Sequence, residues 1–187
     1  MELKRVVVTG LGAFTPIGKT VDEFWQNLTN GVSGAAPITR FDATKFKTRF
    51  ACEIKNYDPG TYFDRKEAKK LDAYAQYAII AADEAMKDSG LDVSKINLDK
   101  AGVIVASGIG GIDTFLQEIR AYALGDGTPK ISPFFVPKMI CDIAAGHISI
   151  KYGFRIKKLA NAMAKPVIPT ATARNKKPLL FLSLSLK

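Results

Sequence analysis

Two β-branched runs, each followed by a glycine loop, dominate the pattern of apolar and polar positions. RVVVTG predicts a buried strand over residues 4–9, and AGVIVASGIGG predicts a second strand over residues 102–107. Helical periodicity fills much of the chain between and beyond them. Because strands that alternate with helices are typical of a largely parallel sheet covered on both faces, the pattern predicts an α/β fold.

Capping signals show where the first two helices begin and end. Thr20 and Asp64 are each followed three residues later by a glutamate, which is capping-box spacing. The helices behind them are expected to stop at Gly31 and Gly90, where glycine suits the left-handed end of a helix. The second helix carries many alanines, which allow close packing and predict a central, buried position.

The remaining segments divide into one long excursion and two further helices. Residues 32–63 show no sustained period and predict an irregular excursion with one short strand near RFACEI. IDTFLQEIRAYALG predicts an amphipathic helix with Phe115, Leu116 and Ile119 on its apolar face. DGTPKISPFFVP predicts a loop, and KMICDIAAGHISIKYG predicts a last apolar helix that ends near Gly153.

Charge is distributed unevenly along the 187 residues, whose net charge is +9. Residues 1–155 hold 20 basic and 18 acidic residues, a net of 20 − 18 = +2, whereas residues 156–187 hold 7 basic residues and no acid, a net of +7. The basic character therefore says little about the partners of the first part, and no nucleic-acid partner is predicted. No apolar run reaches the ~20 residues of a membrane span, and no secretory signal is evident, so we expect no membrane association and a cytoplasmic setting.

Both glycine loops could in principle approach a ligand. GLGAFT lacks the third glycine of a dinucleotide fingerprint, because position 15 is Thr, so a tight turn is the preferred interpretation. In the second loop, Gly108, Gly110 and Gly111 surround Ile109, and the glycines would let the backbone approach another backbone or a ligand closely. Residue types alone leave a packing turn and a ligand-lining loop both open.

The two cysteines and the single histidine do not form a reactive constellation. On one helix, Cys141 and His147 would point about 120° apart, at ~100° per residue, which prevents the hydrogen bond of a thiol–imidazole pair. Cys52 lies in the excursion. We expect a structural role for His147, and neither a metal site nor a cofactor is predicted.

Five motifs occur in order and together carry a specific resemblance. The last of them is ISPFFVPKMICDIAAGHISIKYGFR. The others are KRVVVTGLGAFTPIG, APITRFD, DRKEAKKLDAYAQYAIIAADEAMKDSGL and ASGIGGI. Residues 2–155 closely resemble the N-terminal part of the bacterial β-ketoacyl-acyl-carrier-protein synthase II family, condensing enzymes with a thiolase-like fold. The resemblance implies the N-terminal half of a five-layer αβαβα fold and an incomplete N-terminal domain over residues 1–155.

The resemblance also implies an activity, partners and a substrate pocket. The family catalyses decarboxylative Claisen condensation of an acyl thioester with malonyl-acyl carrier protein in fatty-acid biosynthesis, and the intact enzymes are homodimers. Ile109 resembles the residue that gates the acyl-chain pocket, and Phe134 resembles an aromatic that lines it across the dimer interface. Gly108, Gly110 and Gly111 complete the expected substrate-binding set.

The sequence departs from the family at Ile156, where relatives have glycine. Counting along the family motif places the expected nucleophilic cysteine at Lys165, and both catalytic histidines are absent, so no catalytic residue is predicted. The abrupt change favours a frameshifted or disordered basic tail over residues 156–187. A truncated variant with a regulatory role, an expression artefact and a nucleic-acid-binding tail are the alternatives. The chain is therefore expected to be inactive alone, and a non-catalytic subunit that pairs with a full-length synthase is the alternative function.

Overall fold

A computed structural model describes residues 7–155. The helices, in chain order, are α1 (Val21–Thr29), α2 (Arg65–Lys70), α3 (Ala73–Ser89), α4 (Ile112–Ala123), α5 (Phe135–Met139) and α6 (Ile143–Tyr152). The strands are β1 (Ala36–Pro37) and β2 (Phe50–Ala51), and single 3₁₀ turns lie at Pro59–Thr61, Val93–Lys95 and Leu98–Lys100. β1 and β2 pair antiparallel with Ala36 opposite Ala51, which confirms the short strand predicted near RFACEI.

Helix α3 is the centre of the core, as its alanines predict. Ala78, Ala82 and Ala85 are completely buried, and Ile148 of α6 is buried against the same core. α3 and α6 make the most extensive contact between two helices of the described region. Small side chains on α3 let α6 approach closely, and larger side chains of the same helix, such as Tyr77, Ile79 and Ile80, fill the rest of the core.

The first glycine loop packs directly on α3 at Gly10 and Gly12, and a hydrogen-bonded turn follows it at Thr15–Gly18. A Cβ on Gly12 would lie 1.9 Å from the Ala81 carbonyl oxygen, and one on Gly10 would lie 2.3 Å from that of Ala85. The loop amides are already used, since Glu84 accepts the N–H of Ala13 at 2.8 Å. A carboxylate in that place would repel a phosphate.

The predicted parallel sheet is not formed within residues 7–155, whose two strands pair antiparallel. Residues 102–107 are extended but form no hydrogen-bonded strand, and the first half of the 4–9 run lies outside the described residues. The segment nevertheless alternates as a strand does, with Val103 8% exposed and Ile104 70% exposed. An extended segment becomes a strand only beside a partner, and none of the described residues supplies one.

Two predicted helices are each divided in two. The helix expected from Asp64 to Ser89 breaks at Leu71, because Asp72 caps α3 by accepting the N–H of Tyr74. The last helix, expected over residues 138–153, breaks at Ile140, and α5 begins earlier, inside the predicted loop. The stops at Gly90 and Gly153 are confirmed, since both adopt the left-handed conformation, with φ of +58° and +73°.

Candidate substrate-binding site

The Gly108–Gly111 loop is held against the end of α5. The Gly111 N–H donates to the Met139 carbonyl oxygen at 3.0 Å, and Gly110 has a φ of +89°. Side chains are excluded here, because a Cβ would lie 2.3 Å from the Met139 oxygen at Gly110 and 2.2 Å from the Lys138 oxygen at Gly111. By contrast, nothing lies within 4 Å of a Cβ on Gly108. Two of the three glycines are therefore required by packing.

Ile109 projects away from this anchored loop. Its side chain is 69% exposed although its neighbours Gly110 and Gly111 are buried. The packing interpretation of the loop is therefore observed at Gly110 and Gly111, while Ile109 is exposed.

Phe134 lies at the other end of α5, whose first turn begins there. Its carbonyl oxygen accepts the N–H of Lys138 at 2.9 Å, and its ring is 40% exposed with the Lys70 ammonium 6.0 Å from the ring centroid. The next residue, Phe135, stacks on Phe115 of α4 at 6.1 Å. α5 thus connects the two expected pocket positions, with Phe134 at its start and the glycine loop at its end.

The sequence analysis missed one buried carboxylate, that of Asp72, which binds the start of α4 just after the glycine loop. Asp72 accepts hydrogen bonds from the Thr114 N–H at 3.2 Å and from the Thr114 hydroxyl at 2.5 Å. Burial, reinforced by this carboxylate, raises the pKa of Tyr74 to about 12, so the phenol stays protonated and donates to the Ile140 carbonyl. The available signal was an aspartate directly before an alanine-rich helix, which is a strong N-cap residue.

The structure gives the two cysteines and the single histidine different environments. Cys52 and Cys141 are exposed, and Cys141 precedes α6 rather than lying on it, which corrects its predicted helical position. Burial lowers the pKa of His147, with an opposing effect from Glu67, so the imidazole is neutral at pH 7. Within residues 7–155 no cluster of three metal-ligating side chains occurs.

Two cavities in the described region lie away from the expected pocket positions. One of about 360 Å³ is lined by residues between Glu118 and Ile131, and another of about 460 Å³ by residues that include Arg40 and Tyr77. Neither is lined by Ile109 or Phe134. No helix in the described part of the chain is both long and apolar enough to cross a membrane. The expected tail and Lys165 lie outside the described residues.

Structural comparison gives the class of the fold. The ishigamide ketosynthase/chain length factor is 29% identical with a TM-score of 0.70, covering 83% of this chain and 38% of that one. A ketosynthase bound to a hexaketide, in complex with a type II PKS acyl-carrier protein, is 26% identical with a TM-score of 0.66, covering 81% of this chain and 40% of that one. The described region therefore has the ketosynthase form of the thiolase-like fold, as one half of it, which confirms the predicted class.

Sequence comparison gives the family. The model of the β-ketoacyl synthase N-terminal domain matches residues 3–160, and the chain belongs to this family. Proteins called 3-oxoacyl-[acyl-carrier-protein] synthase 2 are 43% identical in Synechocystis sp., over 82% of this chain and 36% of the relative, and 44% identical in Coxiella burnetii, over 83% and 37%. The Staphylococcus aureus relative is 46% identical over 80% of this chain and 36% of its own length. The chain thus spans little more than a third of these relatives.

Proposed function

We propose that this chain supplies part of the acyl-chain pocket of a fatty-acid condensing enzyme. In the proposed reaction, malonyl-acyl carrier protein loses CO₂ and the resulting carbanion attacks the carbonyl of an acyl thioester, from which a thiolate leaves. The observation that carries the proposal is the anchored Gly108–Gly111 loop, which holds its backbone rigid while Ile109 stays 69% exposed. A rigid backbone with one projecting apolar side chain suits a gate for an alkyl chain.

The described residues contain no group placed to act as nucleophile or base, so the chain is proposed to be inactive by itself. Within residues 7–155, the exposed Cys141 forms no hydrogen bond with an imidazole, and His147 is half-buried on α6. A condensing enzyme needs an activated nucleophile and donors that stabilise the developing oxyanion. With Lys165 at the expected cysteine position, those groups would have to come from elsewhere.

Acyl carrier protein is the proposed partner, since a ketosynthase of the same fold is in complex with one. The cytoplasm is the proposed location, because the proposed partner, an acyl carrier protein of bacterial fatty-acid synthesis, is found there. We also propose a homodimer in the complete enzyme. The apolar face of α4 supports it, because Phe115, Leu116 and Ile119 are 39%, 58% and 42% exposed.

The same face favours a second candidate function, a non-catalytic subunit that pairs with a full-length synthase. An exposed stripe on α4 would serve a heterodimer as well as a homodimer. Co-purification of the chain with an intact synthase, abolished by Leu116→Glu, would favour this second function over the first.

A chimera tests the first function. Residues 1–155 are joined to the remaining part of the Staphylococcus aureus relative, and condensation is measured with acyl-acyl carrier proteins of several chain lengths. Ile109→Phe should shorten the longest acyl chain accepted, whereas Ile150→Phe, at an 80% exposed position on α6 that is not among the expected pocket residues, should not. Activity of the original chain alone, or an unchanged length profile in an active Ile109→Phe chimera, would contradict the proposal.

A further inference from the structure

One buried carboxylate caps two helices that are distant in sequence. Asp72 is 7% exposed and caps α3, where it accepts the N–H of Tyr74 at 3.3 Å. Its second oxygen accepts both the N–H and the hydroxyl of Thr114 in the first turn of α4, 42 residues away. α4 has no side-chain cap at its own N-cap residue, Gly111. Asp72 therefore accepts the hydrogen bonds from the first turn of α4 that a local N-cap side chain would otherwise accept.

Charge and burial both strengthen the hydrogen bonds between Asp72 and Thr114. The negative carboxylate lies at the positive N-terminal ends of α3 and α4 together, where helix dipoles favour an anion. Thr114 is itself only 5% exposed, so water cannot replace a lost partner easily.

The contact bears directly on the glycine loop. A Cβ on Gly111 would lie 3.0 Å from the Asp72 oxygen and 2.2 Å from the Lys138 carbonyl oxygen, so the backbone is enclosed between the carboxylate and α5. Ile109 stands two residues before this enclosed position. Any shift at the start of α4 would move the loop that carries it.

We propose that Asp72 is a positioning residue that fixes Ile109 relative to α5 and thereby sharpens the range of acyl chains accepted. The effect on acyl-chain selectivity rests on the proposed function, whereas the positioning of the glycine loop by Asp72 does not. Both oxygens are needed as acceptors: one serves Tyr74 and the other Thr114. Asparagine offers only one acceptor oxygen, and its NH₂ group would face the backbone N–H of Tyr74 or of Thr114, which cannot accept a hydrogen bond.

Amide hydrogen exchange on the full chain measures the positioning. Asp72→Asn should raise exchange of the amides in residues 108–115 by about tenfold or more, while amides of the α3 core exchange as before. Thr114→Val should raise exchange of the same amides by less, because it removes only the hydroxyl. Thr114→Ser keeps a hydroxyl, so these amides should exchange as in the wild type. Asp42→Asn is the matched control, since Asp42 caps only the exposed Thr44 N–H. Unchanged exchange in residues 108–115, or an equal rise in α3, would overturn the proposal.

The chimera separates this inference from the proposed function. If Ile109→Phe narrows the acyl-length profile, Asp72→Asn should broaden it, and an unchanged profile would overturn the selectivity role. If Ile109→Phe has no effect, the proposed function fails, and the exchange data alone decide the role of Asp72.

Discussion

Glu84 in the central helix accepts the backbone N–H of Ala13 at 2.8 Å, and its other oxygen accepts that of Val21 at 2.8 Å. One side chain thus joins the middle of α3 to both ends of the loop that leads into α1. We expect Glu84→Gln to destabilise the chain, by about 1–3 kcal/mol, because the amide nitrogen cannot accept. Urea unfolding measures the loss.

Asp88 provides the control for this substitution. It accepts a single N–H, that of Leu11 at 2.8 Å, so Asp88→Asn keeps the bond through its remaining oxygen. Its unfolding midpoint should match the wild type. Equal destabilisation by both variants would show that charge, and not acceptor count, is what matters.

A methyl group at Gly12 should be tolerated far less than one at Gly108. The Cβ at Gly12 would lie 1.9 Å from the Ala81 oxygen, whereas that at Gly108 meets nothing within 4 Å. Gly12→Ala should cost about 3 kcal/mol, at the upper end for overpacking, or prevent folding, and Gly108→Ala should be neutral. Thermal unfolding of the two alanine variants tests the difference, which a similar midpoint in both would contradict.

The α6 helix offers a pair of isoleucines of opposite burial. Ile148 is 0% exposed and Ile150 is 80% exposed. Ile148→Ala should cost about 2–5 kcal/mol because it leaves a cavity beside α3. Ile150→Ala should change stability by no more than about 0.5 kcal/mol. The free energy of unfolding of each variant measures this, and comparable losses would mean that α6 does not pack as described.

Stability should fall as the solution becomes mildly acidic. Burial lowers the pKa of His147 in the folded chain, so the unfolded chain, with a pKa of about 6.5, binds the proton first. The loss begins as pH drops through 6.5 and levels off below the folded pKa. In His147→Gln this part of the pH dependence should vanish between pH 7 and 5.5, as chemical unfolding at each pH will reveal; a wild-type slope in that variant would refute the assignment.

The chain should associate with itself through the exposed face of α4. Leu116 is 58% exposed on a face that also presents Ile119. Sedimentation velocity should detect oligomers in the wild type and fewer in Leu116→Glu. Gln117→Glu adds the same charge beside it on the helix and should leave association unchanged. A monodisperse wild-type monomer would contradict this expectation.

The sequence by itself determined the local features that short-range rules govern. Thr20 and Asp64 begin α1 and α2 where their capping spacing predicts, and Gly90 and Gly153 end α3 and α6, since caps and left-handed stops depend on neighbours within a turn. The motifs also identified the family, and they placed Ile109 in a loop between strand-like residues and α4. These inferences needed no knowledge of what packs against what.

Tertiary structure decided the features that depend on distant partners. No local signal tells that Asp72 serves Thr114, 42 residues away, or that it divides the predicted helix at Leu71. Periodicity gave residues 102–107 the alternation of a strand, but a strand also needs a neighbour that can share its hydrogen bonds. The two glycine loops are alike in composition, and both pack closely, the first against α3 and the second against α5, while Leu11 and Ile109 between their glycines are 48% and 69% exposed. Which helix lies behind each loop is thus decided only by the tertiary structure, because these partners are distant in sequence.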